Sequence, residues 1–202
     1  MEDVIVSLPY GEKTMEVAVP QSNLIGVYSP KNVKPVADIQ QEVIRALSQP
    51  IGTKPLRELV AGAQKVVIVA DDNTRLTPTD KIIPVILDEM NAAGIADEQI
   101  TIVIALGTHR FMTDEEIVVK FGEPVVKRVK IKNHDFKNPD ALVDLGETPN
   151  GTSVWVNKET YEADFKIGIG SIVPHHIPGF SGGASSTRGT SRRSRRSPLA
   201  RS

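Results

Sequence analysis

Three short segments of this chain hold the side chains best suited to moving protons and binding anions. Asp71-Asp72-Asn73-Thr74-Arg75 gathers two carboxylates, a hydroxyl and a guanidinium. Such a set can hold a polyhydroxy or phosphorylated ligand, because arginine offers a bidentate fork to a carboxylate or phosphate. Ordinary turn chemistry accounts for the same residues, since Asp and Asn favour turns and Arg75 can pair with an aspartate. Gly107-Thr108-His109-Arg110 adds a histidine beside a second arginine. The third segment, Ser171 to Ala184 (SIVPHHIPGFSGGA), sets His175 and His176 before Ser181-Gly182-Gly183.

Neighbouring residues of an extended segment point to opposite sides, so one of His175 and His176 is the working residue. The amides of Ser181, Gly182 and Gly183 suit close approach to an anion. Two imidazoles from separate loops that face one pocket suit acid/base work near neutral pH. A reaction that inverts a carbon centre needs a proton partner on each face of its substrate, and His109 with His175 would meet that need. His134, within Asn133-His134-Asp135, is expected to bond to Asp135 or to backbone.

These residues need a frame. Lys65 to Ala70 is an unbroken apolar run that predicts a buried strand, and Asp80 to Ala93, ended by Gly94, predicts an amphipathic helix. Gln99 to Leu106 repeats the strand, and Thr113 with Glu116 forms a capping box for the helix that follows. Further strands are expected at Val129 to Asn133, Ser153 to Val156 and Phe165 to Ser171, and helices over Val36 to Leu47 and around Leu56 and Leu59. Val4 to Leu8 and Met15 to Val19 alternate as a hairpin, turned at Tyr10-Gly11-Glu12-Lys13. The expected fold class is therefore α/β: a mainly parallel sheet with helices on both faces and a short amino-terminal β-hairpin. In such folds ligands bind at the carboxyl ends of strands, and all three polar segments follow strands.

Composition narrows the function classes. The hydrophobic content of 40% suffices for one α/β core. No apolar run approaches the roughly 18 residues of a membrane span, and the amino terminus lacks a signal pattern, so a cytoplasmic protein with no membrane partner is expected. Absence of cysteine removes disulfides, thiol nucleophiles and thiolate metal sites; no metal ligands are assigned in this chain, and a soft metal would take its sulfur from a cofactor. After Ala184 the text becomes SSTRGTSRRSRRSPLARS, with six arginines and no acid. Residues 1–184 then carry 18 basic against 25 acidic groups. An acidic body without an aromatic platform predicts no nucleic-acid partner. Residues 1–184 read as one α/β domain, and 185–202 as a disordered, out-of-frame tail.

DDNTRLTP at Asp71 to Pro78, ALGTHRFMTDEE at Ala105 to Glu116, NHD at Asn133 to Asp135 and IVPHHIPGFSGGA at Ile172 to Ala184 resemble, in order and spacing, the amino-terminal domain of nickel-dependent lactate racemases. The resemblance implies a two-domain enzyme that interconverts D- and L-lactate, or a related 2-hydroxy acid, with a nickel-pincer nucleotide as hydride acceptor and donor. By motif, His109 and His175 match the alternating acid and base, and Arg75 matches a residue that orients the substrate carboxylate. Asp72 and Thr74 fall in the same ligand-facing loop. Cofactor-maturation proteins are implied as partners of the complete enzyme. Ser185 stands where the family has the lysine that carries the cofactor, and a hydroxyl cannot make that amide bond. The family's later nickel-ligating histidine and carboxy-terminal domain have no counterpart in this chain, so it is expected not to turn over. The competing reading is a non-catalytic module that binds a nucleotide or hydroxy acid.

Overall fold

The computed structural model describes residues 3–11, 13–28, 31–175, 179–182 and 191–194, with backbone alone at 175 and 191–194. The chain divides into two compact units, Met1–Val36 and Ala37–Ser202. In the first, β1 (Asp3–Tyr10) and β2 (Lys13–Pro20) pair antiparallel from Asp3↔Pro20 to Tyr10↔Lys13. This is the expected hairpin, and its register sets Val4 and Val6 opposite Val19 and Val17, where β-branched side chains pair well across strands.

The second unit opens with α1 (Ile39–Ser48), capped by the Asp38 carboxylate, which accepts from the Gln41 amide at 3.1 Å, and α2 (Leu56–Leu59). Strands and helices then alternate: β3 (Val66–Ala70), α3 (Thr79–Ala92), β4 (Ile100–Ile104), α4 (Asp114–Phe121), α5 (Glu123–Arg128) and β5 (Lys130–Asn133). After β6 (Leu142–Glu147) and β7 (Ser153–Asn157) come α6 (Lys158–Glu162) and β8 (Phe165–Ile169). The strands β5-β4-β3-β8 form one parallel sheet. Val66 to Ala70 is buried at every position, as a strand covered on both faces requires. On one face Ile68, Ala70, Ile102 and Ile104 pack with Ile83, Leu87 and Met90 of α3 and Phe121 of α4. On the other, Val67, Val69 and Val103 pack with Ala163, just after α6. Each side chain so buried contributes about 1.5–3 kcal/mol relative to exposure.

The chain runs outward from β3 through β4 to β5, then returns to β8 on the far side of β3. That reversal leaves a crevice beyond the carboxyl ends of β3 and β8, where loops diverge and a ligand can enter. The capping box at Thr113 and Glu116 is present, with the Glu116 amide donating to Thr113 Oγ1 at 3.3 Å and the Thr113 amide to Glu116 Oε2 at 2.9 Å.

One expectation needs correction. The strand at Ser153 to Val156 exists, but it belongs to a separate antiparallel sheet, paired with β6, and not to the βα rhythm. The connecting turn holds Asn150-Gly151, with Gly151 at φ +71° donating its amide to the Thr148 carbonyl at 2.8 Å. Asn-Gly between two extended runs is a hairpin signal. The same sheet includes the backbone of β11 (Ser191–Ser194), which pairs antiparallel with β7, from Ser191↔Val156 to Ser194↔Ser153. The unpaired edge of a two-stranded ribbon accepts an extended segment through main-chain bonds, whatever its side chains. Residues 183–190 and 195–202, and with them the expected boundary after Ala184, lie outside the described residues.

Candidate functional site

The three polar segments converge, by backbone, on the carboxyl edge of the parallel sheet. A cavity of about 300 Å³ opens there, lined by Asp71 and Arg75 from the loop after β3, Gly107, Thr108 and His109 from the loop after β4, and Ser171, Ser181 and Gly182 from the loop after β8. The β4 loop is shaped by a turn in which the His109 amide donates to the Leu106 carbonyl at 2.9 Å. Gly107 sits inside that turn at φ +60°, a conformation costly for any other residue. Asn133, at the end of β5, clamps the same loop through two 3.0 Å bonds, accepting from the Met112 amide and donating to the Met112 carbonyl.

Asp72 is 3% exposed and spends both carboxylate oxygens locally. Its Oδ1 accepts from the Thr74 amide at 3.0 Å and the Thr74 hydroxyl at 2.5 Å, and its Oδ2 lies 2.5 Å from His109 Nδ1. Burial pushes the Asp72 carboxyl upward, but the bonds from Thr74 and His109 outweigh it and hold the group below its ordinary value. An ionised Asp72 can only accept, so His109 donates from Nδ1, and in the neutral imidazole that leaves the lone pair on Nε2. Asp72 and Thr74 therefore orient His109; neither lines the cavity.

Arg75 has no carboxylate partner among the described residues; its one side-chain bond is a 3.5 Å contact from Nη1 to Thr74 Oγ1. It lines the cavity and also a second one of about 450 Å³, bounded by Leu76, Pro78 and Val119. Arg110 is engaged elsewhere, bonding both Glu116 oxygens at 2.6 and 2.7 Å. That guanidinium, with the Thr113 amide, holds Glu116 down at about 2.

Beneath the cavity lies a polar chain for which the sequence offered no signal. Lys120, on α4, is buried, and its Nζ donates to the Arg75 carbonyl at 2.8 Å and the Thr77 carbonyl at 3.1 Å and stands 3.0 Å from Asp71 Oδ1. This last contact is an ion pair and not an aligned hydrogen bond. Asp71 Oδ2 accepts from the Thr77 hydroxyl, which also meets the Ser171 hydroxyl at 2.5 Å and so joins the β3 loop to the β8 loop.

The β8 loop is held together by Ser181. The Ser181 amide is committed to the Val173 carbonyl at 2.9 Å, and its hydroxyl donates to the Ser171 carbonyl at 3.0 Å and accepts from the Val173 amide at 3.2 Å. Ser181 thus closes the loop, with its own amide engaged within it. Gly182, at φ +80°, could not carry a Cβ, which would stand 2.7 Å from the Ser171 carbonyl. His175 is described by backbone alone, in the short ladder of β9 (Pro174–His175) with β10 (Gly179–Phe180); its side chain and Gly183 lie outside the described residues.

His134 is wholly buried, but its partner is neither Asp135 nor backbone. Asn157 Oδ1 caps α6 through the Thr160 amide at 3.1 Å, which turns its Nδ2 toward His134 Nδ1 at 3.2 Å. The imidazole is therefore an acceptor at Nδ1, and burial, only partly offset by Asp135, lowers its pKa. Among the described residues no group of three or more His, Cys, Asp or Glu could hold a metal ion, and no helix is long and apolar enough to cross a membrane.

The site is thus a crevice at the carboxyl ends of a reversing parallel sheet, with a carboxylate-held imidazole beside a guanidinium that has no carboxylate partner among the described residues. Comparison with known proteins narrows the class. The chain matches the lactate racemase N-terminal domain over residues 10–191. It is 34% identical over 183 residues to the lactate racemase of Thermoanaerobacterium thermosaccharolyticum and 34% over 189 residues to that of Lactiplantibacillus plantarum, covering 90% and 91% of this chain and 43% of each relative. The structure of the Thermoanaerobacterium thermosaccharolyticum lactate racemase apoprotein matches with a TM-score of 0.78 at 33% identity, over 93% of this chain and 43% of that one. A crystal structure of a Thermotoga maritima protein matches at 0.63 and 29% identity, over 75% and 38%. This chain belongs to the lactate racemase N-terminal domain family and spans less than half the length of those relatives.

Proposed function

We propose that this chain supplies the proton-transfer and carboxylate-binding part of a lactate racemase, acting on lactate or a related 2-hydroxy acid. The observation that carries the reading is the 2.5 Å contact from His109 Nδ1 to the buried Asp72 Oδ2, with His109 and Arg75 lining one cavity. Arg75 holds the substrate carboxylate through its guanidinium fork. His109, with Nδ1 fixed on Asp72, is placed to take the hydroxyl proton of the bound 2-hydroxy acid at Nε2 and to give it back there. By motif, His175, whose backbone follows β8, is assigned the same proton exchange from the opposite face.

The resemblance implies a nickel-pincer nucleotide, which in a complete enzyme would supply the hydride chemistry. The donor set described here offers it no metal-ligating cluster, and at the point of attachment the sequence has a hydroxyl, Ser185, in place of an amine. The residues of this chain do not fit a covalently held group of that kind, and the assigned steps are the proton and carboxylate steps alone. Ser185 also favours a second reading, a module that binds the hydroxy acid without turnover.

Titration of the chain with L- and D-lactate, followed by NMR of the His109 ring and Arg75 side chain, tests the shared core of both readings. Both signals should shift, and Arg75→Ala should move the His109 titration to roughly tenfold higher lactate; no shift with either enantiomer would overturn them. Interconversion of the enantiomers by the chain supplied with matured cofactor separates the two, since turnover would exclude the binding-only reading.

A further inference from the structure

Lys120 is the one buried lysine among the described residues. An ammonium has three donors, and here three oxygens surround it: the carbonyls of Arg75 and Thr77 at 2.8 and 3.1 Å and the Asp71 carboxylate at 3.0 Å. All three belong to the loop between β3 and α3, whereas the lysine sits on α4. Its own backbone is fixed independently, because the buried Thr79 hydroxyl donates to the Lys120 carbonyl at 2.6 Å. The Arg75 amide donates to the Asp72 carbonyl at 3.2 Å, so Arg75 is pinned at both its amide and its carbonyl. Its guanidinium, in contrast, is left uncommitted to any carboxylate among the described residues. A buried cation whose acceptors are main-chain oxygens of the residue that faces the ligand sets where that residue stands.

We propose that Lys120 is a positioning residue for the cleft, fixing the loop from Asp71 to Pro78 so that Arg75 presents its guanidinium to an incoming carboxylate. The assignment of that carboxylate to a 2-hydroxy acid rests on the proposed function; the hold on the loop does not. Thr77 and Ser171 extend the hold across the crevice, since one hydroxyl meets Asp71 and the β8 loop together.

The test is amide hydrogen exchange and L-lactate binding in the full chain, compared with Lys120→Met, Arg75→Ala and the double variant. Thr77→Val serves as a second probe, because it cuts the same network without stranding a charge. In Lys120→Met the Thr74 and Arg75 amides should exchange about tenfold faster than any change at Val67, Ile68 and Val69 accounts for, those core amides reporting global stability in the same spectra. Thr77→Val should show the same pattern more weakly. Lys120→Met should weaken L-lactate binding about tenfold, yet add nothing once Arg75 is alanine, because the two act through one contact. Loop and core amides accelerating by one common factor, or an unchanged loop, would overturn the proposal, as would an additive loss of binding in the double variant. Selective loosening of the loop in a protein that binds no lactate would support the hold by Lys120 and overturn the substrate reading instead.

Discussion

The two loops that flank the crevice are built on opposite plans. The loop after β3 is braced from outside itself: α4 sends Lys120 under it, and Asp72 ties it to His109 on the neighbouring loop. The loop after β8 is braced from within, Ser181 closing on Ser171 and Val173 and a two-residue ladder joining Pro174–His175 to Gly179–Phe180. The first is rigid at the expense of burying charge, which stabilises only when every donor and acceptor is met. The second holds by exposed main-chain bonds, which open with little free energy. On the proposed function, a site that fixes a carboxylate and also admits a substrate would have use for one loop of each kind.

The contrast breaks most sharply at Lys120. Removing one partner of a buried ion pair leaves the other uncompensated, so Lys120→Met should destabilise the chain by about 3–5 kcal/mol, read from the urea midpoint. A loss well under 1 kcal/mol would mean that Asp71 is solvated and the first loop is no more braced than the second. Asp72→Asn comes next, at about 1–3 kcal/mol, because an amide nitrogen turned toward either Thr74 or His109 leaves donors facing donors. Nitrogen NMR of the imidazole should show the Nδ1 proton of His109 no longer fixed; an unchanged tautomer would remove Asp72 from its orienting role.

Acidification sharpens the comparison through a third site. His134 has a folded-state pKa below its ordinary value, so the unfolded chain takes up a proton first as pH falls. Stability is thus intact above about pH 6.5 and declines below it, at up to about 1.4 kcal/mol per pH unit, until the folded-state value is reached. His134→Gln, which keeps an acceptor for Asn157, should flatten the stability curve between those limits. Asp72 is also held below its ordinary value, so its contribution persists through that range and fails only in stronger acid. If His134→Gln leaves the slope unchanged, the histidine is not the group that titrates.

The parallel sheet was legible because buried strands are unbroken apolar runs, and Val66 to Ala70 and Ile100 to Ile104 have no other reading. The cap at Thr113 and Glu116 was equally plain, since it is local in sequence. The β6–β7 hairpin was missed although Asn150-Gly151 marks its turn, because Leu142 to Glu147 is mostly exposed and carries too few apolar residues to show a period. Within the site, strand ends placed Arg75 and His109 together, but nothing in the sequence distinguishes the buried Lys120 from the exposed Lys127 one helix later. The same limit hid the partner of His134, because Asn157 reaches it only after an antiparallel sheet folds over the end of β5.

The smallest effect belongs to the β8 loop, and it should be local. Ser181 Oγ joins the Ser171 carbonyl and the Val173 amide, so Ser181→Ala removes two side-chain bonds while the main-chain bond from Ser181 to Val173 stays. Each such bond is worth about 0.5–1.5 kcal/mol net, and near the surface water replaces much of it. Exposed bonds of this kind report local opening, so little of the free energy lost reaches the global midpoint. Ser181→Ala should therefore leave the urea midpoint almost unmoved while protease cleavage between Ser171 and Gly182 quickens. A drop in the midpoint as large as that of Asp72→Asn would show that the β8 loop is coupled to the core through Thr77 and Ser171 as tightly as its counterpart, and the two loops would then be one braced unit.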